Sequence, residues 1–238
     1  MSITLIKNRA QNRHHTVDLF RGIIIVMMIL FHASFDLNHF HLISIDIKHD
    51  SFWRYARYVI VSGFIFIMAY TLVLRYGQKI EWKSVWRRFY ILMGLALIIT
   101  LATLALFPRT WIYFGVLHFM AFATLIGLIF INRPKFSLFL GLALWYAYAF
   151  DYIPVHEFFA WMKPQLGLPN QTEDLVFFIP WLAPMFIGIF AGYYKLLPRT
   201  KERQSLKWIY FLGRNSLMVY MVHQPILFSL VFLLSEIG

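Results

Sequence analysis

Residues 17–37 read VDLFRGIIIVMMILFHASFDL, and this stretch decides how the whole chain is to be understood. It is apolar enough to cross a bilayer, yet it carries Asp18 and Arg21 at its start and His32 and Asp36 at its end. A bare anchor needs none of these groups, because an ionisable side chain in hydrocarbon is costly and is retained where it faces a cavity or a partner. In an α-helix Arg21 and His32 lie about 16 Å apart along the axis and about 20° apart around it, so they share a face. Asp36 follows His32 by one turn on the same side. The segment therefore reads as one wall of a site in an integral membrane enzyme or carrier.

The rest of the chain has the same character. Of its 238 residues, 60% are hydrophobic and 14% charged, an apolar share beyond that of a soluble domain. Apolar windows able to cross a core of roughly 30 Å fall at residues 19–35, 52–74, 89–107, 111–131, 136–150, 175–194 and 215–234. The expected fold is an all-α polytopic membrane protein, a bundle of about seven transmembrane helices. The fifth window is short, and its border with residues 151–156 is the least defined. No internal repeat and no low-complexity linker is present, so residues 1–238 read as a single domain, with 1–17 as a cytoplasmic tail. Lys7, Arg9 and Arg13 precede the first window as they would in a signal peptide. Arg21 and His32 inside it, and the lack of a small-residue cleavage site, make it a retained first span instead.

The net charge of +11 is not a nucleic-acid signature, because Lys and Arg occur in short clusters between apolar runs and never along one face. Sorted onto alternate sides of seven crossings, 17 basic residues fall on the side of the N-terminus and five on the other: Lys48, Arg54, Arg57, Arg109 and Lys163. That asymmetry places the N-terminus in the cytoplasm and the C-terminus outside. Trp53, Trp82, Trp86, Trp111, Trp161 and Trp208 stand near span ends, as an aromatic belt requires.

Three histidines lie within apolar windows: His32, His118 and His223. Rise per residue puts His32 about 18 Å from the inner side and His118 about 10 Å from the outer, depths at which all three can converge on one cavity. Each could instead supply an interhelical hydrogen bond. His32 is the best-placed general base, since Asp36 can hold its ring or raise its basicity; Asp36 alternatively marks the water interface. Gln224 and Pro225 beside His223 indicate a polar, loosened helix, with Gln224 a candidate substrate contact. Arg21 and Arg214, the latter followed by Asn215, sit at the inner ends of the histidine-bearing spans, where guanidinium groups suit phosphates; lipid headgroups or Asp18 would also engage Arg21. Arg54 and Arg57, one turn apart on the outer side, suit an anionic or hydroxyl-rich acceptor, or snorkel to headgroups. His14, His15, His39, His41 and His49 lack a spacing that specifies a metal, and no metal site is expected. The absence of cysteine excludes disulfides and a thioester on the protein.

With these residues in view, the first span resembles the opening helix of the heparan-alpha-glucosaminide N-acetyltransferase catalytic-domain family, in particular its short bacterial members. The resemblance extends to VSGFIFIMAY at 61–70, FGVLHFMAFATL at 114–125, WLAPMFIGIFAGYY at 181–194 and LGRNSLMVYMVHQPILF at 212–228. The Arg21 to His32 spacing and the ending GRNSLMVYMVHQP also look like the bacterial membrane acyltransferases that O-acylate polysaccharides. The resemblance implies an enzyme of the inner membrane that takes an acyl group, acetyl first, from cytoplasmic acyl-CoA and passes it to an amine or hydroxyl of a sugar or glycan on the far side. It suggests a homodimer. In the polysaccharide enzymes the histidine matching His32 is the expected base. The lysosomal enzyme carries an amide residue there and uses a histidine in its first lumenal loop, which leaves His39 and His41 as rivals. Transfer within a ternary complex and transfer through an acyl-histidine both remain open. A small proton-coupled transporter would also place ionisable groups at mid-membrane, although internal repeats are lacking. A haem carrier could use paired histidines as axial ligands.

Overall fold

The computed structural model describes residues 14–47, 49–172 and 174–237. Lys7, Arg9, Arg13 and Lys48, counted in the charge asymmetry, lie outside the described residues, as does most of the expected tail. Among the described residues the chain is helical apart from turns, loops and one isolated parallel bridge between Phe114 and Leu175. The helices are α1 (His15–His39), α2 (Ser51–Tyr76), α3 (Trp82–Leu106), α4 (Val116–Phe130), α5 (Pro134–Ala149), α6 (Val155–Gln165), α7 (Phe178–Tyr193), α8 (Lys207–Arg214) and α9 (Ser216–Ser235). A single 3-10 turn, Gln204–Leu206, leads into α8.

Four of these, α1, α2, α3 and α9, are long and apolar enough to cross a membrane. The other three apolar windows also form helices, but α4, α5 and α7 have only 15 or 16 residues, about 22–24 Å of rise. The windows at 111–131 and 175–194 overran their helices because apolarity does not distinguish helix from extended chain. Residues 113–115 and 175–177 precede α4 and α7 as non-helical segments, joined where Val176 N–H donates to the Phe114 carbonyl at 3.0 Å. Two helices arise where loops were expected: α6 between α5 and α7, and α8 before α9.

The chain divides into two compact units, with the division inside α2 between Phe64 and Ile65. Among the described residues, the first unit holds α1, the start of α2, α8 and α9. There α1 packs on both α8 and α9. The approach of α8 is backbone to backbone: a Cβ on Gly213 would run into the Asp18 carbonyl oxygen, and one on Gly22 into that of Ile209. Small residues at a helix crossing are what permit such contact where water provides no driving force. Val17, Ile24, Ile25 and Met28 of α1 and Tyr210 of α8 are buried.

In the second unit α5 lies along α7, and α4 packs against α3 and α7. Gly188 and Gly192, one turn apart on α7, let that helix sit over the backbone of α2, where a Cβ on Gly192 would come within 2.8 Å of the Tyr70 carbonyl oxygen. Outward, α3 presents Leu97, Ile98 and Leu101, and only 11% of its central apolar window is buried in protein. A helix so apolar and so little covered is at home in hydrocarbon.

The crossing of α1 and α8 gives a direct expectation. Gly213→Ala forces the two backbones apart and lowers stability by about 1–3 kcal/mol, the usual range for overpacking. Thermal unfolding in detergent, compared with Gly94→Ala, whose added Cβ would meet nothing within 4 Å, checks it.

Candidate functional site

Four polar side chains of the first unit meet between α1 and α9, two from each helix. The Nδ1 of His32 lies 2.9 Å from the carbonyl oxygen of Met28, four residues back on its own helix. The Nδ1 of His223 lies 2.7 Å from the carbonyl oxygen of Tyr220, three residues back on α9. A carbonyl oxygen only accepts, so in each neutral ring the proton sits on Nδ1 and the lone pair on Nε2. The rings meet edge to face, with centroids 4.9 Å apart and planes at 72°. His223 Nε2 is 3.4 Å from His32 Nδ1, so the lone pair of one ring addresses the N–H of the other.

One turn further along α1, the Gln224 side-chain N–H donates to Asp36 Oδ1 at 2.8 Å. Adjacent residues of α9 thus engage residues one turn apart on α1, and the two contacts fix the register of the helix pair. Asp36 is fully buried, and its Oδ2 and the Oε1 of Gln224 are buried oxygens without a protein donor. Phe31 lies against the edge of His32 at 5.7 Å, Trp53 backs Phe31 at 5.8 Å, and Arg57 is within electrostatic reach of His32. The expected pairing of Asp36 with the His32 ring does not form. Cβ atoms at i and i+4 are neighbours, but the His32 ring turns back to Met28 and the carboxylate turns across to α9.

His118 belongs to the second unit and has different surroundings. It is the third residue of α4, and its Nδ1 accepts the N–H of Gly115, the residue before that helix, at 3.2 Å. The proton of the neutral ring is therefore on Nε2, opposite to the tautomer of His32 and His223. Phe114 stacks on the ring at 5.6 Å. Asp174 lies within electrostatic reach of His118, and its Oδ2 accepts the Val116 N–H at 3.1 Å, so a carboxylate stabilises the N-terminus of α4. A Cβ on Gly115 would come within 2.9 Å of that carboxylate oxygen.

At the start of α1 lies an ion cluster. Arg214 Nη2 pairs with Glu202, Arg214 Nε lies 3.6 Å from Asp18 Oδ2, and Glu202 also faces His15 at 3.7 Å. The guanidinium further sits over the Tyr210 ring at 5.9 Å, and the Asn215 side-chain N–H donates to the Phe211 carbonyl at 2.9 Å. His14 beside this cluster has its pKa held below the usual 6.5 by burial and then by the Arg199 charge.

A family model described as heparan-alpha-glucosaminide N-acetyltransferase, catalytic, matches residues 13–225. The chain belongs to that family. The match takes in both units and most of the chain, and every polar group of the α1–α9 site falls within it. A membrane acetyltransferase type of activity follows from membership, and with it a donor of the acetyl-CoA type in general terms. None of the curated proteins and none of the solved structures compared with the chain matches it.

Of the residues singled out from the sequence, the structure brings together His32, Asp36, His223 and Gln224. His118 stands in its own network in the other unit. Arg214 is engaged by two carboxylates, and Arg54 donates to Ser51 Oγ at 3.3 Å. His39 is exposed and stacks on Phe35 at 6.4 Å, and His41 is an exposed turn residue with φ of 60°. Asp174 and Glu202 were not singled out. Their partners are 58 and 12 residues away, so no local pattern marks them. Among the described residues no group of three or more His, Asp or Glu side chains is arranged to hold a metal ion.

Two outcomes follow. Gln224→Leu leaves the buried Asp36 carboxylate without its donor and costs about 1–3 kcal/mol, read as a drop in unfolding temperature. For His14, a depressed folded-state pKa means that the unfolded chain binds the proton first, so this group withdraws stability as pH falls below about 6.5. His14→Gln should narrow the difference in melting temperature between pH 7 and pH 5.

Proposed function

We propose that the protein is an acyltransferase of a bacterial inner membrane that moves an acetyl group from cytoplasmic acetyl-CoA to an amine or hydroxyl of a sugar on the outer side. The observation that carries the reading is the part-buried His32–His223 pair, in a chain that belongs to a family of membrane acetyltransferases. In this reading the seven apolar segments all cross, four as full-length helices and three as shorter ones, two of them preceded by extended chain, with the N-terminus inside and the C-terminus outside.

His32 is the base. Its Nδ1–H is taken by the Met28 carbonyl, which leaves the Nε2 lone pair to remove the proton from the acceptor N–H or O–H as that atom attacks the thioester carbonyl. The tetrahedral intermediate then collapses, the carbon–sulfur bond breaks, and the proton finally resides on the sulfur of CoA. Asp36 and Gln224 hold the helix pair in register, and their two open oxygens can receive donors from the acceptor. Arg57, within electrostatic reach of His32, attracts an anionic or hydroxyl-rich acceptor, with Arg54 beside it on the exposed start of α2. At the other end of α1, Arg21 leads in receiving the phosphates of CoA. Arg214 and Asn215 support that end, Arg214 with its charge partly neutralised by Asp18 and Glu202. His118, whose Nδ1 is committed to Gly115, orders the entry to α4.

Release of the CoA thiol from acetyl-CoA by protein in lipid nanodiscs, with amino sugars and neutral glycans as acceptors, tests this. His32→Ala should lower kcat by at least about 100-fold, the lower end of what a general base contributes, with folding intact. Undiminished turnover would remove His32 from the role. Arg21→Ala should raise KM for acetyl-CoA by about tenfold, as loss of a charged contact does, and leave kcat nearly unchanged. Because the chain has no cysteine, single cysteines report topology directly: Gly167→Cys should react with an impermeant maleimide added to intact cells, and Lys201→Cys should react only after lysis.

A further inference from the structure

We propose that His223 is the second proton carrier of the site, receiving from His32 Nδ1 the charge that His32 acquires when it takes the acceptor proton at Nε2. The proposal rests on the assignment of His32 as base and gives its neighbour a separate, separable role.

The geometry carries it. The His223 ring is anchored by its own Nδ1–H on the Tyr220 carbonyl at 2.7 Å, so its Nε2 carries a lone pair whatever happens at His32. That lone pair is 3.4 Å from His32 Nδ1, and the other group in contact with this Nδ1 is the Met28 carbonyl at 2.9 Å. A carbonyl can accept a hydrogen bond but does not accept a proton near neutral pH; an imidazole lone pair does both. Of the two groups among the described residues that touch His32 Nδ1, only His223 can take the proton away. His223 is only 8% exposed and His32 is part-buried, so water is poorly placed at the His223 side of the contact. The Gln224–Asp36 hydrogen bond one residue further along α9 holds the helix faces at this spacing. It makes Gln224 a positioning residue for the pair, acting through the helix and not through the reacting atoms.

The step balances. The acceptor X–H bond breaks and its proton joins His32 Nε2 as X bonds to the acyl carbon. His32 Nδ1–H breaks, and that proton joins His223 Nε2. His32 ends neutral with its proton on Nε2, and His223 ends as the imidazolium. When the carbon–sulfur bond breaks, the leaving thiolate takes one proton, and back-transfer through the same two nitrogens restores both rings. Two protons move for each acyl group transferred, and the positive charge rests one ring further from the acceptor than a lone base would leave it.

The test compares wild type with His223→Gln, whose side-chain oxygen can accept the same hydrogen bond but cannot take up the proton. Turnover is measured in mixtures of H2O and D2O. The wild type should give a curved dependence of kcat on deuterium fraction, the mark of two protons in flight. His223→Gln should give a straight line, with kcat lower by about tenfold or more and KM for acetyl-CoA within about twofold of wild type. A residue that merely fills space or orients His32 would be replaced adequately by glutamine. Wild-type kcat with unchanged curvature in His223→Gln would therefore overturn the relay. If His32→Ala turns over normally, the base assignment fails; if His32→Ala is inactive and His223→Gln is normal, the relay alone fails. Nitrogen-15 spectra of histidine-labelled wild type in nanodiscs provide a reading that needs no turnover. Both rings should be protonated at Nδ1, and His32 Nδ1–H should couple across to His223 Nε2. A proton on Nε2 of either resting ring would overturn the proposal.

Discussion

Hydrocarbon offers no hydrogen bonds, so polar groups carried into it depend on the protein for partners, and most of what is distinctive in this molecule follows from that demand. The hydroxyls comply locally: Thr71, Thr103 and Thr124 donate to carbonyls four residues back at 2.8–2.9 Å, and Ser34 does so at 3.0 Å. His32 and His223 use the same device, each pinning its Nδ1–H to a carbonyl of its own helix. What sets the histidines apart is their second nitrogen. A hydroxyl that has made its bond is quiet, whereas a ring fixed at one nitrogen presents a lone pair at the other, in a known direction. The rule that makes polar side chains expensive in a membrane thus also orients the ring proposed as the base.

The same demand explains how the helices approach one another. With little hydrophobic driving force between helices in lipid, contact depends on close packing. Here that contact is made through Gly22 and Gly213 against opposing carbonyls in the first unit, and through Gly188 and Gly192 of α7 against the backbone of α2 in the second. Outside these seams the surface is aromatic and aliphatic, with Trp82, Trp86, Tyr90, Leu97 and Leu101 exposed on α3 alone.

Much of this was legible in the amino-acid order, and the parts that were not share a cause. The family emerged from motifs spread along the chain, and α1, α2, α3 and α9 emerged from apolar length. The pairing of α1 with α9 was foreshadowed by the matching pattern of a basic residue at one end and a histidine deeper in. The extended residues before α4 and α7 escaped notice because their apolarity is as high as that of the helices they precede. The partner of Asp36 escaped because i and i+4 proximity says which Cβ atoms are neighbours, not which way the ends of the side chains turn. Gln224, 188 residues away, had the better geometry. The Asp174 cap on α4 and the Glu202 contact with Arg214 are likewise products of folding, between residues whose spacing carries no signature.

The Tyr220 carbonyl has a consequence for the economy of the cell. A titratable base deep in a bilayer is a hazard, because a chain of proton acceptors leading from one face to the other would dissipate the gradient on which the membrane's energy supply depends. Beyond His223 the next group in contact with the ring's Nδ1–H is that carbonyl, which holds the hydrogen but does not accept a proton and pass it on. Among the described residues, a proton entering this pair as proposed comes to a closed end and leaves by the way it came. With His32 as the proposed base, the site would run acid–base chemistry inside the membrane without becoming a conductor across it.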